Sequence, residues 1–199
     1  MGMKPGENRN HPLKGAKIAV SPIKDLADIE AIKRLLATSP RNYCLFVLGV
    51  NSNLRASDIL SIKAGDVRHL KPGDDLVLRE KKTGKRRRIT MNKAVVQAIQ
   101  NLLKTRPYKD SDPLFLGRDG ALTRPALTSL VKKWCRKVGL IGNFGAHSLR
   151  KSWGYHMRLT FGVGLPELMV CYNHSSQRET LNYLCIQDDE IRGIYQNEL

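Results

Sequence analysis

The sequence predicts a mostly helical α+β domain with one small antiparallel β-sheet, on three observations. Apolar residues recur at three- and four-residue intervals over most of the chain from Pro22 onward, the pattern of helices that bury one face. One stretch breaks that period. Leu76-Val-Leu78 and Arg86 to Met91 flank Glu80-Lys-Lys-Thr-Gly-Lys85, which reads as two strands joined by a glycine-containing turn. Finally, 199 residues of which 41% are hydrophobic can bury one substantial core and are too few for several.

Residues 1 to 20 are rich in Lys, Gly, Asn and Pro without a sustained period, and read as a flexible arm ahead of one domain over 21–199. Leu26, Ile29, Ile32, Leu35 and Leu36 mark the first helix. Tyr43 to Val50 is nearly all apolar and reads as a buried helix, followed by a short one carrying Arg55, Asp58, Ile59 and Ile62. After the hairpin, Asn92 can cap a helix whose apolar positions are Val95, Val96, Ile99, Leu102 and Leu103, closed by Pro107. Thr123 and Pro125 open the next, which runs through Leu127, Leu130, Val131 and Trp134 to Gly139. His147–Leu159, Leu165–Tyr172 and Gln177–Leu184 complete a helical C-terminal half. Trp134, Trp153 and the run Leu165-Pro-Glu-Leu-Met-Val170 read as packing.

Lys and Arg number 34 against 18 Asp and Glu, a formal net charge of +16. Such a surplus needs anionic partners, and a polyphosphate fits best. A membrane partner is disfavoured, because no apolar run approaches the ~20 residues that span a bilayer and Met1 to Gly15 lacks the apolar core of a signal peptide. A cytoplasmic, nucleoid-associated protein is expected. Cys44, Cys135, Cys171 and Cys185 are scattered without a CxxC spacing, so neither a disulfide framework nor a zinc site is expected.

Three separated segments carry chemistry. Leu54-Arg55-Ala-Ser-Asp58 places an arginine early in a helix with a carboxylate one turn later that could orient it. His147-Ser-Leu-Arg150 puts an imidazole and a guanidinium on one helical face. Asn173-His174-Ser-Ser is followed by Tyr183, nine residues after the histidine. Between them lies the basic hairpin, where Lys81, Lys85, Arg86, Arg87 and Arg88 suit contact with DNA phosphates.

With these residues in this order the chain resembles the tyrosine recombinase, or phage integrase, family, and the match runs from about Arg55 to Tyr183. The resemblance implies a tyrosine-recombinase catalytic domain in which Arg55 is the first arginine and Lys82, in Lys82-Thr-Gly, the hairpin lysine. His147 and Arg150 match the His-x-x-Arg box, His174 the second histidine and Tyr183 the nucleophile. His156, six residues after Arg150, falls where members often carry a structural histidine. Tyr172 precedes His174 and Tyr195 lies 21 residues beyond it, so Tyr183 alone keeps the family interval.

Elementary chemistry favours the same roles. Phosphodiester cleavage needs a nucleophile, stabilisation of negative charge on the non-bridging oxygens and a proton for the leaving oxygen. Two arginines offer planar forks of donors that stay charged at any working pH. Tyrosine, with an ordinary pKa of ~10, needs activation, and a histidine near ~6.5 can act as its base. By resemblance, Lys82 protonates the 5′-oxygen, His174 donates to the phosphate, and the product is a 3′-phosphotyrosyl intermediate that another strand can reverse. No cofactor or metal is expected, and the sequence has neither a GxxxxGK[ST] pattern nor clustered carboxylates for Mg²⁺.

The chain departs from the family in reading Asn53-Leu-Arg55 for Gly-Leu-Arg and Tyr172-Asn-His174 for Leu-Gly-His, although Asn tolerates left-handed backbone. Only about 50 residues precede Arg55; by analogy they cover the first catalytic helices, and no N-terminal core-binding domain is expected. The resemblance further implies double-stranded DNA as partner and a homotetramer on DNA that exchanges the segment Ile186 to Leu199, with a monomer in its absence. Two alternatives stay open: a type IB topoisomerase-like relaxing enzyme, and a DNA-binding regulator that keeps the fold without turnover. The second would show itself by loss of one of the six residues, and all six are present.

Overall fold

The computed structural model describes residues 20–117, 119–184, 186 and 188–198. The arm expected over residues 1–20 therefore lies almost wholly outside the described residues, as does Cys185.

Helix α1 (Leu26–Leu36) starts where Asp25 accepts from the Ala27 amide at 2.7 Å. It buries Ile29, Ile32 and Leu36 and leaves Leu26 half exposed. α2 (Pro40–Ser52) is the centre of the molecule: Cys44 to Gly49 are all buried, as a helix enclosed on every side must be. α3 (Ala56–Ile59) is shorter than its sequence pattern, with Arg55 as its N-cap and Ile62 beyond its end. A further four-residue helix, α4 (Ala64–Val67), is too short to show a period in the sequence.

Strands β1 (Asp75–Arg79) and β2 (Arg86–Thr90) pair antiparallel, with Val77 opposite Arg88 and Arg79 opposite Arg86. α5 (Lys93–Leu103) is capped by Asn92, whose side chain accepts from Val95 N at 3.0 Å. The connection to α6 (Arg124–Lys137) is pinned by bridges between Lys63 and Pro113 and between Leu116 and Ala121. Thr123 caps α6 as its position predicts. α7 (Ala146–Leu159), α8 (Leu165–Tyr172), α9 (Gln177–Leu184) and α10 (Asp188–Ile194) complete the chain.

α2 packs against α1, α5 and α7, and the main core gathers around it, including the edge-to-face pair Phe46 and Trp134, 6.1 Å between ring centres. A smaller cluster joins α7, α8 and α9 through Leu168, Tyr172 and Leu184, with Trp153 and Tyr183 against it. Two glycines set how closely these layers meet. A Cβ on Gly49 would lie 2.5 Å from Leu149 Cδ1, and one on Gly154 only 1.9 Å from the Tyr172 hydroxyl oxygen. These contacts bring the end of α2, the middle of α7 and the end of α8 to one place.

The Leu165 to Val170 run is only partly packing. Leu168 is buried but Val170 is 80% exposed, because an eight-residue helix packed on α7 and α9 still has an outer face. Cys44 and Cys135 are buried free thiols, whereas Cys171 is exposed. No helix among the described residues is long and apolar enough to cross a membrane.

Candidate active site

The site is built on two helix ends. α2 stops at Asn53 (φ 45°) and α8 at Asn173 (φ 57°), both left-handed, so asparagine does adopt the backbone that glycine would serve. Arg150, projecting from α7 and 1% exposed, spans the two turns. Its Nη1 donates to Asn53 O and its Nη2 to Tyr172 O at 3.1 Å. One guanidinium thereby holds the loop before Arg55 against the loop before His174.

His174 Nε2 lies 3.3 Å from Arg150 Nη2, and Nδ1 is 3.1 Å from Thr180 Oγ1. A guanidinium can only donate, so this geometry puts the ring proton on Nδ1. Burial, and then the charge of Arg150, holds the His174 pKa down at about 4, leaving a neutral ring. That ring stacks on Tyr172 at 5.0 Å and 8°. Tyr183 leans over the same group, 5.3 Å from the His174 ring and 5.2 Å from the Arg150 guanidinium carbon. Arg150 is itself depressed to about 10 by burial and by Arg87 and Arg55, and remains charged at neutral pH.

In front of this group opens a cleft of about 810 Å³ whose walls include Arg55, Lys82, His147 and Tyr183. Four of the six residues singled out from the sequence, contributed by the α2–α3 turn, the hairpin, α7 and α9, thus meet in one cavity. Arg150 and His174 are not on its wall; they lie behind, against the Tyr183 ring. Lys81 also lines the cleft, and Arg124, at the start of α6, adds a cation that the sequence reading passed over. Its only sequence signal is the position of Thr123-Arg124-Pro125 at a helix start. His147 sits at the entrance of α7, with its pKa lowered by burial and by the nearby charges of Arg150, Arg55, Lys151 and Lys82.

Two expectations need correction. Asp58 does not orient Arg55: it is fully buried and accepts from the Lys81 amide at 2.9 Å, fixing the start of the hairpin tip. The carboxylate on Arg55 is Glu80, with Nη1 2.6 Å from Oε2. Nor is Arg87 a DNA-facing residue. Strand alternation puts it on the inner face with Ile89, 6% exposed, where Nη1 pairs with Glu80 Oε1 at 2.8 Å and Nη2 donates to Cys171 O at 2.6 Å. That same carbonyl accepts from Asn53 Nδ2 at 3.0 Å. Lys81, Lys82, Lys85, Arg86 and Arg88 are exposed, with Arg88 3.1 Å from Asp75.

The remaining assignments follow from burial. His156 places Nε2 3.0 Å from Ile23 O and Nδ1 3.0 Å from Thr160 Oγ1, a buried tie between α7 and the segment before α1. Tyr172 is fully buried and its hydroxyl donates to Arg150 O at 3.1 Å, which leaves it no route to a substrate. Tyr195 is 86% exposed, beyond α10. Among the described residues no group of three or more His, Cys, Asp or Glu could hold a metal ion.

Comparison with known proteins agrees with this architecture. The model of the phage integrase family matches residues 5–190. The probable integrase/recombinase YoeC of Bacillus subtilis is 34% identical over 179 residues, covering 88% of this chain and 95% of that protein. The tyrosine recombinase XerA of Pyrococcus horikoshii is 33% identical over 186 residues, 90% of this chain but 63% of that longer protein. A crystal structure of XerA recombinase superposes with a TM-score of 0.74 at 17% identity, covering 95% of this chain and 68% of that one. The chain belongs to the phage integrase family, that of the tyrosine recombinases.

Proposed function

We propose that the protein is a site-specific DNA recombinase that cleaves and rejoins DNA strands through Tyr183. The Tyr183 hydroxyl attacks the scissile phosphorus, His147 takes its proton, and the bond to the 5′-oxygen breaks as Lys82 protonates that oxygen. A 3′-phosphotyrosyl link and a free 5′-hydroxyl result, and attack by the 5′-hydroxyl of another strand reverses the step. Arg55 and Arg150 bind the non-bridging oxygens. The observation that carries this reading is the meeting of Arg55, Lys82, His147 and Tyr183, from four separate segments, around one cleft.

Binding of the scissile phosphate requires a local adjustment. Tyr183 covers the Arg150 guanidinium, so phosphate reaches Arg150 only once the tyrosine swings outward. His174 then exchanges its Arg150 contact for the phosphate and donates from Nε2, which requires a proton on that nitrogen, by tautomer exchange or by protonation of the ring beside the phosphate anion. Lys81, Lys85, Arg86 and Arg88 contact the backbone of the duplex. Recombination engages two duplexes and four protomers, with residues 186–199 exchanged between neighbours and a monomer in the absence of DNA.

The direct test is a nicked suicide substrate bearing the protein's own attachment-like sequence, resolved on a denaturing gel. A covalent adduct is expected from the wild type and none from Tyr183→Phe. An adduct that persists in the variant moves the nucleophile elsewhere.

A further inference from the structure

Glu80 stands where the hairpin leaves β1, two residues ahead of Lys82, and is 1% exposed. Both of its main-chain groups close the tip: its amide donates to Lys85 O at 3.0 Å and its carbonyl accepts from Gly84 N at 2.8 Å. Its carboxylate forms an ion pair with Arg55 Nη1 at 2.6 Å and accepts from Thr83 Oγ1 at 2.7 Å and Arg87 Nη1 at 2.8 Å. Burial alone would raise the pKa of this acid. The hydrogen bonds from Thr83 and Arg87 and the paired charge of Arg55 outweigh it and hold the carboxyl at about 2, so the group is ionised.

A charge withdrawn from water must be matched by partners, and the partners here are informative. Arg55 comes from the turn after α2 and lines the cleft. Arg87 comes from β2 and reaches on to Cys171 O at the end of α8, two residues before the Asn173 turn. Glu80 therefore joins the segment bearing the first arginine, the hairpin bearing Lys82 and the helix end that leads to His174. Asp58, the carboxylate nearest Arg55 in sequence, accepts from the Lys81 amide through Oδ1, and among the described residues the ion pair of Arg55 is with Glu80 instead.

We propose that Glu80 is a positioning residue whose carboxylate holds Arg55 in the cleft wall and ties to it the hairpin that carries Lys82. The phosphate-binding guanidinium and the proton-donating ammonium are then placed as one unit. This rests on the phosphoryl-transfer reading above and assigns Glu80 no contact with the substrate.

The test uses Glu80→Gln, which keeps the shape and removes the charge, and Glu80→Asp, which keeps the charge on a shorter arm. Adduct formation at saturating DNA is expected to slow by ~100-fold in Glu80→Gln on a normal 5′-oxygen linkage, and by roughly tenfold less on a 5′-thio linkage that needs no general acid. On the thio substrate, adding Glu80→Gln to Arg55→Ala costs nothing further, since the two act as one. Glu80→Asp shows the same split with a smaller loss, and it replaces Glu80→Gln in every comparison should that variant fail to fold. Equal slowing on both linkages, or a double variant slower than Arg55→Ala by the full Glu80 factor, overturns the proposal in favour of general loosening. A second readout is independent of turnover. In nitrogen-15 NMR the Arg55 Nε–H resonance, assigned through Arg55→Lys, is expected to be distinct from those of solvated arginines and to merge with them in Glu80→Gln. An unchanged resonance overturns the proposal even if the wild type forms no adduct, an outcome that by itself sinks only the phosphoryl-transfer reading.

Discussion

At the scale of single residues, the proposed roles differ in what each can reveal. Lys82 is exposed at the hairpin tip beside Lys81 and Lys85, so loss of a phosphate contact and loss of a general acid must be separated. Lys82→Ala is expected to slow cleavage of a 5′-oxygen linkage by ~100-fold or more while nearly sparing a 5′-thio linkage; equal slowing passes the role to another lysine. His147 is separable by pH. Burial and the surrounding cations hold its pKa below the ordinary histidine value, and the base must be neutral to act. The acid limb of the cleavage rate is therefore expected below pH ~6.5. Lys151 is among the cations that depress it. Removing that charge in Lys151→Gln favours the protonated ring, so the limb should move to higher pH. A limb that stays in place shows that a different group titrates.

Four of the six residues with proposed roles were legible because their intervals are local: His147 with Arg150, and His174 with Tyr183, each sit within a few turns of chain, whereas Arg55 and Lys82 stood out by their order in the family pattern. The supports of these residues were not legible. Glu80 is 25 positions from Arg55 in sequence, and nothing short of the folded hairpin brings the two to 2.6 Å. Arg87 lay within reach of sequence reasoning, since alternation from Ile89 places it on the inner face; the surrounding basic run masked that signal. The division between a residue that faces the substrate and one that holds it is a tertiary property.

At the scale of secondary-structure elements, the site depends on how closely α7 approaches α8. Gly154 makes that approach possible, because a Cβ there would stand 1.9 Å from the Tyr172 hydroxyl oxygen and 2.9 Å from Cζ, on a ring that also stacks with His174. The ring is held from both sides and cannot yield cheaply. Gly154→Ala is expected to lower unfolding stability by about 1–3 kcal/mol despite alanine's better helix propensity, read by urea denaturation. Tyr172→Phe should recover part of that loss. Gly49→Ala meets a Leu149 methyl at 2.5 Å, the end of a more adaptable side chain, and should cost less. The reverse ranking would mean that the α7–α8 contact is the softer one. Helices of eight residues or more were readable from their apolar period, and α5 and α6 from their caps as well. α4, at four residues, is barely one turn, too short for a period to repeat.

At the scale of the whole molecule, the outer face of α10 and the residues after it contrast with the rest of the chain. Ile191 is 44% exposed, Ile194 62% and Tyr195 86%, whereas helices α1 to α9 direct their main apolar stripe into one of two cores. Apolar side chains at i, i+3 and i+4 form one stripe on a helix, here turned to water. Such a stripe contributes little to the lone protomer and much to an assembly that covers it. Replacing Ile191, Ile194 and Tyr195 together by serine is accordingly expected to change unfolding stability by less than ~1 kcal/mol, as for changes at exposed positions, and to leave adduct formation on a single suicide substrate intact. What should be lost is the joining of two duplexes, followed by native-gel mobility and sedimentation of the DNA complex. If the triple substitution abolishes single-substrate cleavage, the stripe supports Tyr183 within its own protomer; if paired complexes form as before, the contact between protomers lies elsewhere on the surface.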